Sequence, residues 1–136
     1  MAFDFDTTQL SACLAAHDVG LLVATGSRVS GRERPDSDLD LAVLSRDEAP
    51  LSHRALASLL TELQDRTPHR VDLVDLASAD ALFRREVLLN HALLHVDDRA
   101  RWVRLATKTL IELDDLSWHL DALVAGVGRR ALEGRR

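Results

Sequence analysis

A chain of 136 residues has room for one domain with a real hydrophobic core, and 46% apolar against 29% charged residues is the balance of an ordinary soluble fold. A formal net charge of −5 provides no basic field for non-specific contact with nucleic acid, and one cysteine, Cys13, excludes an internal disulfide and any cysteine metal site. The polar, acidic start does not read as a signal peptide, and no apolar run approaches the ~20 residues a membrane span needs, so the expected location is the cytoplasm.

The first predicted element is a helix. Asp6-Thr7-Thr8-Gln9 offers a capping acid or hydroxyl, and Leu10, Cys13 and Leu14 follow at helical spacing, with Cys13 read as a small core residue. Asp18-Val19-Gly20 ends that helix, and residues 21–25 form a buried strand. Gly26 and Ser27 then turn the chain into a short helix, where a glycine lets backbone approach a phosphate or simply serves the turn. Ser27 suits either a phosphate contact or a helix cap, and Arg28 either a two-point phosphate clamp or a partner for a loop acid.

A charged loop, Arg32-Glu33-Arg34-Pro35-Asp36, leads to Ser37-Asp38-Leu39-Asp40-Leu41. Ten residues separate Ser27 from Asp38. Side chains alternate along a strand, so Asp38 and Asp40 share one face of the strand over 39–44, while Leu39, Leu41 and Val43 take the other. Two carboxylates side by side raise each other's cost of ionising, a penalty that a divalent cation removes. Hard oxygen ligands of this kind suit Mg²⁺, which combines one or two carboxylates with phosphate oxygens. Asp36 reads as a loop residue rather than a ligand.

Pro50 and Ser52 start a helix whose stripe is Leu56, Leu59, Leu60 and Leu63, ending before Pro68. Arg70-Val71-Asp72-Leu73-Val74-Asp75-Leu76 is a third strand, over 71–76, and it carries two acids on opposite faces. Asp72 is the candidate third carboxylate, whereas Asp75, near the strand's end, turns to solvent or caps the segment at Ser78. Ser78 caps a helix with Leu82, Phe83 and Val87 inward, and 93–96 is a short strand. The last helix, from about 101 to 124, carries Trp102, Leu105, Thr109, Leu110, Leu113, Leu116, Leu120 and Leu123, and is longer than so small a domain needs. Part of its stripe is therefore expected to meet a partner. Strands alternating with helices predict an α/β (α+β) sandwich on a mixed sheet. The six histidines show no metal-ligand spacing between them and are read as structural or surface residues.

A Gly-Ser turn, an acidic pair ten residues on and an acid on a neighbouring strand together resemble the nucleotidyltransferase superfamily that includes DNA polymerase beta. The short length narrows the likeness to the minimal nucleotidyltransferases, over about residues 20–97 with a helical segment at about 100–125, so that 1–136 is expected to be one minimal nucleotidyltransferase domain. Thr25 departs from the aromatic that often precedes the Gly-Ser pair, a change behind the turn rather than in the chemistry. The resemblance implies that Asp38 and Asp40 bind two Mg²⁺ ions, that Asp72 binds the one activating the incoming hydroxyl, and that Gly26, Ser27 and Arg28 hold the phosphates of ATP.

Members of this kind are commonly encoded beside an all-helical HEPN ribonuclease toxin, and some act as its antitoxin by transferring AMP to a tyrosine. The resemblance thus implies a protein adenylyltransferase in a type VII-like toxin–antitoxin pair, with a HEPN toxin as partner and no nucleic-acid or membrane partner. The negative net charge agrees, since it argues against a nucleic-acid polymerase. Two other readings stay open from the residues: an antitoxin that acts by binding alone, and a transferase acting on a small molecule of the aminoglycoside type.

Overall fold

Alternating side chains and an all-apolar central strand set the layers of the fold. In the computed structural model, which describes residues 4–133, strands β1 (Val19–Thr25), β2 (Leu39–Ser45), β3 (Val71–Asp75) and β4 (Ala92–Val96) form one sheet in the order β3-β2-β1-β4. Helices α1 (Leu10–Ala16), α2 (Ser27–Ser30), α3 (His53–Gln64), α4 (Ala81–Leu89) and α5 (Arg99–Glu133) connect and cover it. Every residue of β1 is buried, as a strand covered on both faces requires.

On one face Leu22, Ala24, Leu39, Leu41 and Val43 pack with Leu10 and Leu14 of α1 and Leu59 and Leu63 of α3. On the other, Leu21, Val23, Ala42 and Leu44 pack with Val87 of α4 and Leu105 of α5. Fully burying one such leucine contributes about 1.5–3 kcal/mol, so these two clusters dominate stability. β1 runs antiparallel to β2 and to β4, whereas β2 and β3 are parallel. A parallel pair needs a long crossover, and α3 is that crossover. The sheet is mixed and the α/β sandwich is as expected.

Several boundaries differ from the sequence reading, each for a local reason. β1 begins at Val19, because Val19 already pairs with Ser45 of β2. Asp6 does not cap α1: its carboxylate accepts the Thr8 amide, and the helix starts from Gln9 in a left-handed conformation with no side-chain cap. Cys13 is not a core residue; it is only half-buried, and its thiol donates to Glu62 at 3.0 Å. α4 is capped by Asp80, which accepts the Phe83 amide, rather than by Ser78. Ser52 caps α3 by accepting the Ala55 amide, in line with expectation.

The start of α5 is pinned by a buried cation. Arg101 is 6% exposed and donates to both Asp97 oxygens (2.8 and 3.1 Å) and to the carbonyls of Ser45 (3.2 Å) and Arg46 (2.6 Å). A Cβ at Gly20 would collide with this guanidinium, which explains the glycine inside β1. Beyond Thr109 the stripe is only partly covered: Leu113 and Leu116 are half-buried, while Leu110, Ile111, Trp118, Leu120 and Leu123 are exposed. Among the described residues no helix is long and apolar enough to cross a membrane.

Arg101→Ala should destabilise the protein by about 2–4 kcal/mol, since it strands two carbonyls and an acid at a buried site. The Arg101 hydrogen bond holds the Asp97 carboxyl below its ordinary value of 3.8. A lowered acid pKa stabilises the fold above the ordinary value and loses that contribution as the pH falls through the folded one. Chemical denaturation of wild type and variant from pH 7 down to 3 should therefore show the gap between them narrowing in acid.

Candidate active site

Where β1 ends, the chain reverses at Gly26 with φ 79° and ψ −156°, a conformation open essentially to glycine alone. A Cβ there would also overlap the carboxylate of Asp40. Backbone and neighbour thus both require glycine. The Gly26 carbonyl accepts the amides of Val29 (3.2 Å) and Ser30 (3.1 Å), which closes the single turn of α2. Asn90, at the end of α4, braces the same turn: its side-chain amide donates to the Gly26 carbonyl at 3.3 Å, and its own carbonyl accepts the Thr25 hydroxyl at 2.8 Å.

Asp40 sits opposite Thr25 in the β1–β2 ladder and opposite Asp72 in the β2–β3 ladder. Parallel neighbours are about 4.8 Å apart, so the two acids stand side by side on the face covered by α4 and α5. Burial, then the charges of Asp72 and Asp38, push the Asp40 carboxyl above the ordinary carboxylate range. Asp38, one residue before β2, is exposed and contributes by its charge. The side-chain oxygens of the three acids are not all within 4.8 Å of one another, unlike the ligand atoms of one other group among the described residues. Three carboxylates with hard oxygen donors, one of them raised by burial and by the other two, fit a divalent cation of the Mg²⁺ type.

Asp40 and Asp72, but not Asp38, line a cavity of about 330 Å³ whose walls also include Gly26, Phe83, Glu86 and Asn90. That volume lies in the range of small-molecule sites, roughly 300–1,000 Å³. Ser27 is the first residue of α2, directly after Gly26, and is half-buried. Arg28 is placed differently from the expected phosphate clamp. It is 7% exposed, and its guanidinium donates to the Ser37 carbonyl at 3.1 and 2.6 Å and to His69 Nδ1 at 3.1 Å. As Nδ1 accepts, the His69 proton lies on Nε2, which faces Asp4 at 3.7 Å. Arg28 therefore ties the loop that delivers Asp38 instead of reaching into the cavity.

Asp75 is buried and does not turn to solvent. It accepts the amides of Leu51 (2.7 Å) and Ala77 (3.1 Å) and lies 3.4 Å from the Ser78 hydroxyl, capping the segment after β3 on the face opposite Asp72.

Residues 8–100, more than half of the chain, match the family described as "Polymerase beta, Nucleotidyltransferase". The chain belongs to that nucleotidyltransferase family. It is similar to a solved toxin–antitoxin structure with AMP-PNP, at 26% identity and a TM-score of 0.71 over 90% of this chain and 98% of that one. It is similar in fold to the MNT antitoxin in a complex with the tri-AMPylated HEPN toxin of Shewanella oneidensis, at 24% identity and a TM-score of 0.66 over 89% of this chain and 94% of that one. A structure of the toxin–antitoxin MntA-HepT matches at 24% identity and 0.66, over 89% and 95%. No curated protein matches the chain.

Sequence reasoning missed Phe83, Glu86 and Asn90. They belong to α4, and only the packing of that helix on the sheet brings them to the cavity; Asn90 by itself reads as an ordinary helix end.

Asp40→Asn should raise the thermal midpoint of the metal-free protein by about 1–3 °C, because it removes a repelled charge. A raised acid pKa opposes folding while the group is ionised and ceases to do so once it is protonated. Melts at falling pH should therefore show the advantage of Asp40→Asn shrinking as Asp40 takes up its proton on approach to 3.8, its ordinary value. Melts with added Mg²⁺ should stabilise wild type more than the variant.

Proposed function

We propose that this chain transfers AMP from ATP to a hydroxyl of a HEPN-family toxin, a tyrosine side chain, and so acts as the antitoxin of a toxin–antitoxin pair in the cytoplasm. One observation carries the reading: Asp40 and Asp72 stand in register beside an obligatory glycine turn, at the mouth of a cavity sized for a small molecule. The likeness to a toxin–antitoxin structure with AMP-PNP over nearly the whole chain supports the nucleotide and the partner class. Residues 1–136 are read as a single minimal nucleotidyltransferase domain.

In the proposed reaction the toxin's hydroxyl oxygen attacks the α-phosphorus of ATP, the bond to the bridging oxygen breaks, and pyrophosphate leaves. Asp38, Asp40 and Asp72 would hold two Mg²⁺ ions, which when bound neutralise the phosphate oxygens and the leaving pyrophosphate. Asp72, exposed at the sheet's edge strand, accepts the hydroxyl proton. Gly26 lets the backbone approach the β- and γ-phosphates, where Ser27 supplies its hydroxyl and amide. Arg28 and Asn90 act through others, holding the loop before Asp38 and the Gly26 turn. The exposed apolar stripe of α5, including Trp118, Leu120 and Leu123, is the surface offered to the toxin.

Intact-mass spectra of the co-expressed toxin should show whole added AMP units with wild type. Asp72→Asn should lower that transfer by about 10²–10⁴-fold with ATP affinity nearly unchanged. Should Asp72→Asn neutralise the toxin as well as wild type with no mass change, neutralisation is by binding and the enzymatic reading fails.

Asp75→Asn should instead cost stability, about 1–3 kcal/mol, by replacing one of its accepting oxygens with a donor at a buried site. Urea denaturation measures this directly. A loss of transfer by Asp75→Asn without loss of stability would show the β3 register to be off by one residue.

A further inference from the structure

Across the sheet from Asp40, α1 and α3 bring together a second group of donors. Cys13 lies on α1 and His17, four residues on, caps its C-terminal end, while Glu62 projects from the last turn of α3. Glu62 Oε2 is 3.0 Å from the Cys13 sulfur and 3.0 Å from His17 Nε2, and the three ligand atoms all lie within 4.8 Å of one another. We propose that Cys13, His17 and Glu62 form a zinc site that staples α1 to α3, with water as the fourth ligand.

The donors are close to what the ion requires. Tetrahedral zinc with sulfur, nitrogen and oxygen ligands sets its donors about 3.4–3.6 Å apart, so Glu62 would draw back by about half an ångström from its two neighbours, which themselves lie within 4.8 Å of each other. His17 is largely buried and Glu62 half-exposed, which leaves an open side for the water and for entry of the metal. The charges also suit. A thiolate and a carboxylate balance a divalent ion, and binding releases the thiol proton to solvent.

Arg66 stands beside the group, with its guanidinium fixed on the carbonyls of Asp6 (3.0 Å) and Thr8 (2.6 Å). Burial and then the Glu62 carboxylate push the Cys13 thiol up, Arg66 pulls the other way, and the same guanidinium charge opposes any cation held by charge alone. That combination selects a borderline-soft metal with thiolate affinity over Mg²⁺ or Ca²⁺. The expectation that one cysteine leaves no cysteine metal site considers thiolates alone, and the set here is mixed. The metal-type spacing missing among the histidines runs instead from Cys13 to His17.

Cobalt is the probe that separates this site from the carboxylates on the other face. Titrating the untagged full chain with Co²⁺ should produce a sulfur-to-cobalt charge-transfer band that saturates at one equivalent and is displaced by Zn²⁺. Cys13 is the only cysteine, so the band reports on this site alone. Cys13→Ser should abolish it. His17→Ala and Glu62→Gln should each weaken Zn²⁺ binding by more than about 100-fold, beyond the 10- to 100-fold that supporting residues cost. Circular dichroism of the metal-free variants checks that each still folds. No charge-transfer band in the folded wild type, or a band unchanged by both His17→Ala and Glu62→Gln, overturns the proposal and leaves Glu62 as a plain hydrogen-bond acceptor for its two neighbours.

Discussion

Asp40 and Asp72 repel each other, yet the β2–β3 ladder holds them opposite one another, and most of the surrounding structure serves that forced pairing. The register is locked on both sides of the acids. Leu39 donates its amide to the Arg70 carbonyl at 2.8 Å. Gln64, the last residue of α3, donates to the His69 carbonyl at 2.6 Å and accepts the Val71 amide at 2.8 Å. A slip of one residue would turn Asp72 to the α3 face and bring apolar side chains to the site. The crossover helix is thus a positioning device as well as a core element. Repulsion that the apo fold tolerates becomes attraction once a cation is shared, which is how a stable scaffold stores affinity for a metal–phosphate ligand.

The Gly26 turn meets this pair from the β1 side. Its backbone conformation, the Asp40 carboxylate against it and the Asn90 brace leave it one shape. The proposed phosphate contact at this turn would need such rigidity, because amides that must reorganise on binding lose much of their electrostatic advantage. Arg28 and Ser37 do the same for the loop on the other side, so the acidic pair is approached by two tied segments rather than two free loops.

α5 divides into two halves with different physics. Its first turns are held by Arg101 beneath and by the Arg84 guanidinium, which is 3% exposed and bonds Thr109, Glu112 and the Ala79 carbonyl. Its later turns carry leucines and a tryptophan in the open. Isolated apolar residues on a surface are ordinary, but a repeated stripe along a helix is the kind of surface the proposed contact with the toxin would use. The anchored half sets where the exposed half points.

Local chemistry alone determined the glycine turn, the strands and most helices to within a few residues, and the overlong final helix, although that helix runs to Glu133 rather than ending near 124. Each follows from periodicity or from a residue whose backbone preference is strong. Neighbours in space decided the rest. The sequence already favours Asp72 over Asp75 as the site acid, but it is the parallel register with β2 that puts one beside Asp40 and the other under the Leu51 amide. Arg28 carries a charge that suits phosphate, yet the carbonyl of Ser37 lies within its reach and takes it. Asn90, and the meeting of Cys13 and His17 with Glu62, depend on how helices distant in sequence lie on the sheet. Hydrogen bonds and ion contacts act over about 3 Å, and that scale is set by packing rather than by spacing along the chain.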